Sequence, residues 1–167
     1  MWIESRIAIA CFLMGASTIA CSAPSAPSTV GDIRVGLAQL CTDATPTSER
    51  VDAPILPSML DSGVSPKATA SLCIVRDTRV DLSVSAIDAF EDKWKVGRVE
   101  ISFAPQDVAT LNKAVSENGG KMMVLLRGEG AVLEFKILRV ARERSLMLSG
   151  FDLPEAEAIK QAVVSAT

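Results

Sequence analysis

The sequence has no histidine and no tyrosine among its 167 residues. Histidine is the commonest general base and metal ligand of enzymes, and tyrosine is the usual phenolic acid, so enzymatic chemistry has little to rest on. The sequence also lacks a Gly-x-Ser-x-Gly motif and a Cys-x-x-Cys pair, which removes the hydrolase elbow and the dithiol redox motif. We therefore expect a non-enzymatic protein without a cofactor.

Aromatic residues and net charge are both scarce, at 4% and -3. Binding of nucleic acids depends on basic surfaces with aromatic side chains for stacking, so no nucleic-acid partner is expected. The length suits one domain with a hydrophobic core and is too short for two comfortable ones. We predict a single domain over residues 31–167.

The N-terminal residues have the three parts of a secretory signal peptide. A short segment ending at Arg6 precedes an apolar run at Ile7–Met14, and small residues follow at Gly15–Ala20. The apolar run is far shorter than the roughly 20 residues that a membrane-spanning helix needs. We predict a signal peptide over residues 1–20 and export to the periplasmic side.

Cys21 follows this leader directly, and Thr18-Ile19-Ala20-Cys21 resembles the lipobox of bacterial lipoproteins. Residues 21–30 are rich in Ser, Ala and Pro, as expected of a flexible tether. We predict that Cys21 is lipidated and that the lipid is the protein's only membrane anchor. The alternative is ordinary cleavage near Ala20 or Ala23, with Cys21 incidental.

The first part of the domain has mixed signals. Loose alternation predicts a strand at Val30–Leu40, and a second short strand is expected at Ser71–Arg76. Thr42–Lys67 contains several prolines and is expected to be a long surface excursion, with at most one short packed turn. The apolar spacing within Ser83–Asp92 predicts a short helix with Ile87, Phe90 and Ala86 facing inward.

The pattern is clearer from Arg98 onward. Strict alternation over Arg98–Ala104 predicts a half-buried strand, and Pro105 opens a helix that ends at Asn118-Gly119-Gly120. An apolar run at Lys121–Arg127, a Gly-Glu-Gly turn and a returning alternation predict a hairpin.

A short strand at Ser145–Ser149 follows, and Asp152 with Glu155 forms a capping box that opens a second helix. The order from Arg98 is therefore strand, helix, hairpin, strand, helix. We predict an α+β fold in which two amphipathic helices lie on one face of a mostly antiparallel sheet.

A resemblance to a known family rests on three motifs: Val99-Glu-Ile-Ser-Phe-Ala-Pro-Gln-Asp-Val108, Asn118-Gly-Gly-Lys-Met122 and Ser149-Gly-Phe-Asp-Leu-Pro-Glu-Ala156. Together they resemble the head subdomain of the first periplasmic domain of SecD, in the SecDF protein-export family. The resemblance covers the chain from Arg98 onward and, more weakly, Ser71–Phe90. It implies a detached head-type module that contacts emerging polypeptide.

The sequence also departs from that family. The hairpin turn is Gly128-Glu129-Gly130 where the family has Asp-Gly, and basic residues replace a glycine-rich stretch after the hairpin. The membrane helices of SecD are absent as well. Because protons cross a membrane protein on intramembrane carboxylates, we expect no coupling to a proton gradient.

Cys41 and Cys73 are the two thiols that remain in the mature chain once Cys21 is lipidated. An even pair in an oxidising compartment usually forms a disulfide, and this one would close the proline-rich excursion. The alternative is two buried thiols that act as small hydrophobes.

A basic cluster, Lys136, Arg139, Arg142 and Arg144, is a candidate surface for a partner, and a solvated edge is the alternative. The main hypothesis is an envelope protein that binds a polypeptide or a protein partner, through exposed residues around Arg127–Glu134 and Arg139–Arg144. The second is a periplasmic protein that binds a small ligand or acts like an inhibitor.

Overall fold

A computed structural model describes residues 33–63, 71–136 and 144–165. The strands are β1 (Arg34–Gln39), β2 (Arg50–Pro54), β3 (Ser71–Val75), β4 (Val80–Glu91), β5 (Gly97–Phe103), β6 (Met122–Arg127), β7 (Gly130–Lys136) and β8 (Ser145–Phe151). The helices are α1 (Pro57–Ser62), α2 (Val108–Asn118) and α3 (Leu153–Ser165). The predicted signal peptide, the tether and Cys21 lie outside the described residues.

Six strands form one sheet in the order β7-β6-β1-β4-β5-β8, and β2 and β3 form a separate two-stranded ribbon. Every pair of neighbouring strands is antiparallel. The helices α2 and α3 both pack against β4, and α3 also packs against β5. The predicted α+β class with a mostly antiparallel sheet is confirmed.

The inner side of β5 shows why this sheet forms. Its residues alternate strictly between buried and half-buried, with Val99, Ile101 and Phe103 in the core. They lie opposite Ala89, Ile87 and Val84 of β4. Burial of one such large apolar side chain contributes roughly 1.5 to 3 kcal/mol, so this strand pair is a major part of the core.

The start of α3 forms as the sequence predicts. The Asp152 amide donates to the Glu155 carboxylate at 2.8 Å, and the Glu155 amide donates to the Asp152 carboxylate at 2.8 Å. This reciprocal capping box satisfies two amides at the end of the helix that have no partner within it. It also fixes the direction in which the chain leaves β8.

The predicted helix at Ser83–Asp92 is wrong, because this segment belongs to β4. A β-bulge lies between Val84 and Ala86, and one extra residue there shifts the alternation by one position. Leu82 and Val84 before the bulge are therefore buried together with Ile87 after it. The three-residue step from Val84 to Ile87 imitates the spacing of a helix.

The segment Thr42–Lys67 was expected at the surface, and this is only partly right. It contains β2 and α1, and Ala53, Ile55 and Met59 are buried in the core. The prolines do not prevent this, since Pro54 ends β2 and Pro57 opens α1, where a missing amide costs little.

Candidate functional site

The strand β8 forms one edge of the six-stranded sheet. It pairs with β5 on one side, and no strand in the described part of the chain pairs with its other side. Its seven residues, Ser-Leu-Met-Leu-Ser-Gly-Phe, include no charged residue and no proline. Proteins usually protect an edge strand with charges, proline or a covering segment, so a bare edge of this kind needs an explanation.

The backbone groups that β8 turns outward follow from its pairing. The Phe103 amide donates to the Arg144 carbonyl at 2.9 Å. Since hydrogen-bonded and non-hydrogen-bonded pairs alternate in an antiparallel ladder, Leu146 and Leu148 bond to β5. The residues between and beside these two leucines are Ser145, Met147 and Ser149. Their amides and carbonyls therefore point away from the sheet.

The position of β8 is fixed by its inward side chains. Leu146 and Leu148 are buried, while Met147 is half-buried and Ser149 is exposed on the other face. The Ser145 hydroxyl donates to the Glu100 carboxylate of β5 at 2.9 Å. A slip by one residue would turn both leucines out of the core, so the register of this edge is well defined.

The opposite edge, β7, is covered. Ile55 forms a parallel bridge with Ala131, and the Leu56 amide donates to the Ala131 carbonyl at 3.0 Å. Leu56 also packs on Gly130, where an added Cβ would lie 2.3 Å from the Leu56 Cδ2 atom. The chain between β2 and α1 thus occupies the position that a partner strand would take beside Gly130 and Ala131, at the start of β7.

The expectation of exposed residues around Arg127–Glu134 is right only at the turn, where Gly128 and Glu129 are exposed. Gly130, Ala131, Val132 and Leu133 are buried. The Arg127 guanidinium donates to the carbonyls of Val163 and Arg34, at 3.0 and 3.1 Å, and so links α3 to β1. Arg127 therefore has a structural role here.

The basic residues do not lie along one strand. Lys136 ends β7 and Arg144 immediately precedes β8, so these two exposed side chains belong to opposite edges of the sheet. Arg139 and Arg142 lie outside the described residues. Arg144 is the basic residue that the structure places beside the bare edge.

The predicted disulfide between Cys41 and Cys73 is present in the structure. The Cys41 amide also donates to the Cys73 carbonyl at 2.9 Å, next to a bridge between Leu40 and Ile74. These contacts connect the end of β1 to the β2–β3 ribbon. The disulfide thus holds the segment that leads into the cover of β7.

A cleft of about 450 Å³ lies between α2 and the end of β1. Its lining is mostly polar and charged, with Lys113, Glu117 and Lys121 from the α2 side and Asp77 opposite. The buried Asn118 side chain at its base donates to the Ala114 carbonyl at 2.8 Å. A cleft with both signs of charge suits a small polar ligand better than an apolar one.

Sequence reasoning identified the disulfide but not the β8 edge, although a charge-free strand next to Arg144 was a usable signal. In the described ranges, no cluster of three or more His, Cys, Asp or Glu side chains could hold a metal ion. The helices within those ranges are all too short or too polar to cross a membrane. The sequence matches no protein-family model and no curated protein.

Proposed function

We propose that this protein is a non-enzymatic module of the cell envelope that binds an extended polypeptide by strand addition to β8. The observation that carries the proposal is the charge-free edge of β8, with which no second strand of the described residues pairs. An extended peptide that joins such an edge gains main-chain hydrogen bonds, while its alternate side chains give specificity.

The geometry of β8 defines how the peptide would bind. The outward amides and carbonyls that a peptide can reach belong to the half-buried Met147 and the exposed Ser149, since Ser145 is buried. Each hydrogen bond to them would contribute about 1 kcal/mol. On the face away from the helices, the half-buried Met147 side chain would contact alternate side chains of the peptide. The nearby Arg144 favours an acidic group at one end of the peptide.

Two substitutions at Met147 separate the contribution of the backbone to peptide binding from that of the side chain. Met147→Pro removes an outward amide but no bond to β5, whereas Met147→Ala removes only the side chain. The probe is a fluorescein-labelled peptide of alternating Thr and Val, with glutamates at its ends for solubility. We expect Met147→Pro to weaken binding about tenfold or more, a loss of about 1.4 kcal/mol, and Met147→Ala to weaken it much less.

A second probe removes the donors from the peptide. The same peptide with every amide N-methylated cannot donate to an edge strand and should not bind. Equal affinities of the proline and alanine variants, or binding of the methylated peptide, would exclude strand addition.

For location, we propose an exported lipoprotein anchored through Cys21. The support is the leader, the tether and a disulfide, which is compatible with an oxidising compartment. A Cys21→Ser variant should be processed differently and should leave the membrane fraction. Unchanged processing and fractionation of the variant would rule out the lipid anchor.

We also propose that the domain is a relative of the SecD head subdomain. In support, β5, α2, the β6–β7 hairpin, β8 and α3 follow in the order on which that resemblance rests. The resemblance implies contact with emerging polypeptide, and a bare strand edge is suited to an unfolded chain. The predicted partner surface still consists of Lys136, Arg139, Arg142 and Arg144. Partner capture after charge reversal at Arg144, compared with capture after charge reversal at Lys136, tests the two edges separately.

The alternative function is binding of a small ligand in the cleft beside α2. The observation in its favour is the mixed charge of Lys113, Lys121 and Asp77 around one cavity. Its test is a thermal-shift screen with small zwitterions, in which Lys121→Met should abolish any stabilisation. This alternative would be favoured by a ligand whose stabilisation of the protein is abolished by Lys121→Met, together with peptide binding that Met147→Pro leaves unchanged.

A further inference from the structure

Trp94 is the most exposed large hydrophobic side chain of the described residues. It lies in the turn between β4 and β5, just beyond the last pair, Glu91 and Gly97, and 68% of its surface is exposed. Burial of a tryptophan is strongly favourable, and its indole N–H can still hydrogen-bond at a wet boundary. An indole held in water at the tip of a hairpin therefore indicates a contact surface.

The turn holds Trp94 in a fixed position. The Asp92 carboxylate accepts hydrogen bonds from the amides of Trp94 and Val96, at 2.8 and 3.1 Å, and from the Arg98 Nε at 2.9 Å. The Lys95 backbone has a φ of 65°, which completes the tight turn. The indole is thus presented by a well-ordered turn, so little conformational entropy is lost when it binds.

The turn also carries positive charge next to the indole. The Lys93 Nζ lies 4.3 Å from the centre of the Trp94 ring, whereas Lys95 pairs with the Glu91 carboxylate at 2.8 Å. With Asp92 paired to Arg98, Lys93 is the cation of this turn without a carboxylate partner among the described contacts. Tryptophan beside lysine matches the boundary between acyl chains and anionic headgroups, where indole and ammonium groups both bind favourably.

The topology places the Trp94 turn at the end of the sheet toward which the chain before β1 runs. β1 is antiparallel to β4 and starts at Arg34 opposite Ser83, so the chain before β1 leaves toward the end of the sheet that carries the Trp94 turn. The twelve residue steps from Cys21 to Ile33 reach at most about 40 Å. The nine steps from Ser83 to Asp92 along β4 cover only about 30 Å.

The same end of the sheet carries a second exposed apolar side chain. Leu153 is 39% exposed at the start of α3, just after Phe151, which pairs with Gly97 next to the turn. We propose that the Lys93-Trp94-Lys95 turn inserts into the interface of an anionic lipid membrane, as a second contact beside the lipid on Cys21. The orientation rests on the proposed anchor, whereas the contact of Trp94 with lipid can be tested without it.

The test uses the full chain with Trp2→Phe, which leaves Trp94 as the only tryptophan. The probe is a vesicle of phosphatidylcholine and phosphatidylglycerol, with or without bromine on the acyl chains. We expect a blue shift of the Trp94 emission and about twofold or stronger quenching by the brominated lipid. Replacing Lys93 by Glu should weaken the response to anionic vesicles about fivefold or more.

A matched control keeps one tryptophan but moves it to the far end of the sheet. It combines Trp2→Phe, Trp94→Ser and Met122→Trp, because Met122 is 38% exposed at the start of β6, away from the turn. This reporter should be quenched much less, even if the apolar leader holds the whole chain on the vesicle. Equal quenching of both reporters, or no quenching of Trp94, would overturn the proposal and point to a protein partner for the indole.

Discussion

The strands β7 and β8 are the two edges of one sheet, yet only β7 is covered by another part of the described chain. The cover consists of Ile55 and Leu56, which contact the start of β7 at Gly130 and Ala131. β7 also carries Glu134 and Lys136, whereas β8 carries no charge at all. Within the described residues, the edge with charges is thus the one that another segment contacts, and no second strand pairs with the edge without charges.

Protection against aggregation alone would favour the opposite arrangement, with the charged residues on the uncovered edge. An uncovered edge is usually the one that bears charged residues or proline, because these block pairing with other chains. Among the described residues, only Ile55 and Leu56 form the cover of β7. A similar cover for β8 would therefore need few additional residues. The proposed addition of a peptide strand to β8 would account for an edge that no other strand of the described residues pairs with.

The largest expected effect comes from removal of the disulfide, which holds the ribbon behind the cover of β7. The double variant Cys41→Ala/Cys73→Ala should lower the free energy of unfolding by about 3 to 4 kcal/mol, because the unfolded chain regains the freedom of a long loop. Urea denaturation measures this loss. Amide exchange should rise more along β7 than along β8.

If the double variant retained full stability and an unchanged exchange rate on β7, the disulfide would have no part in holding the cover. The two edges would then differ only through Ile55 and Leu56 themselves.

A smaller effect is expected when the cover is displaced directly. Gly130→Ala places a methyl group 2.3 Å from the Leu56 Cδ2 atom, so Leu56 must move. We expect a loss of about 1 to 3 kcal/mol in urea denaturation, as for other overpacked sites. Adding Leu56→Ala should recover much of the loss caused by the new methyl group, and failure of this rescue would show that the contact is not the cause.

The smallest effect concerns the Trp94 turn beside the open edge. Partial desolvation raises the pKa of Asp92, but hydrogen bonds from the amides of Val96 and Trp94 and the Arg98 guanidinium outweigh it, so the pKa lies below the usual 3.8. A lowered pKa stabilises the folded state above pH 3.8, and this contribution is lost as the pH falls through the lowered value.

Asp92→Asn has no such titration. Its stability deficit relative to the unchanged protein should therefore be largest near neutral pH and should narrow in acid, as measured by thermal unfolding at several pH values. A deficit that is constant from neutral pH to the acid range would contradict the role of the Asp92 charge.

Much of the fold could be predicted from local patterns. The strict alternation of β5, the capping box of Asp152 and Glu155, and the Cys41–Cys73 pair each depend on residues whose chemistry permits few alternatives. β4 could not be predicted in the same way. Its bulge at Ser85 changes the spacing of buried residues, and nothing in the local sequence distinguishes that spacing from a helix.

The candidate site was less predictable because an edge is a property of the whole sheet. The sequence of β8 shows a short apolar strand, but only the order of six strands places it at the side. In the same way, Ile55 and Leu56 look like a packed turn, and their contact with β7 depends on a pairing far along the chain. Trp94 was a missed signal, since a lone tryptophan between two lysines was visible in the sequence.

Amide hydrogen exchange with and without the alternating Thr and Val peptide tests the central claim most directly. In the free protein, the outward amides of Met147 and Ser149 should exchange much faster than those of Leu146 and Leu148, which bond to β5. Addition of the peptide should slow Met147 and Ser149 selectively and leave β7 unchanged. Protection that appears on β7 or around the α2 cleft instead, with Met147 and Ser149 still exchanging fast, would contradict the account.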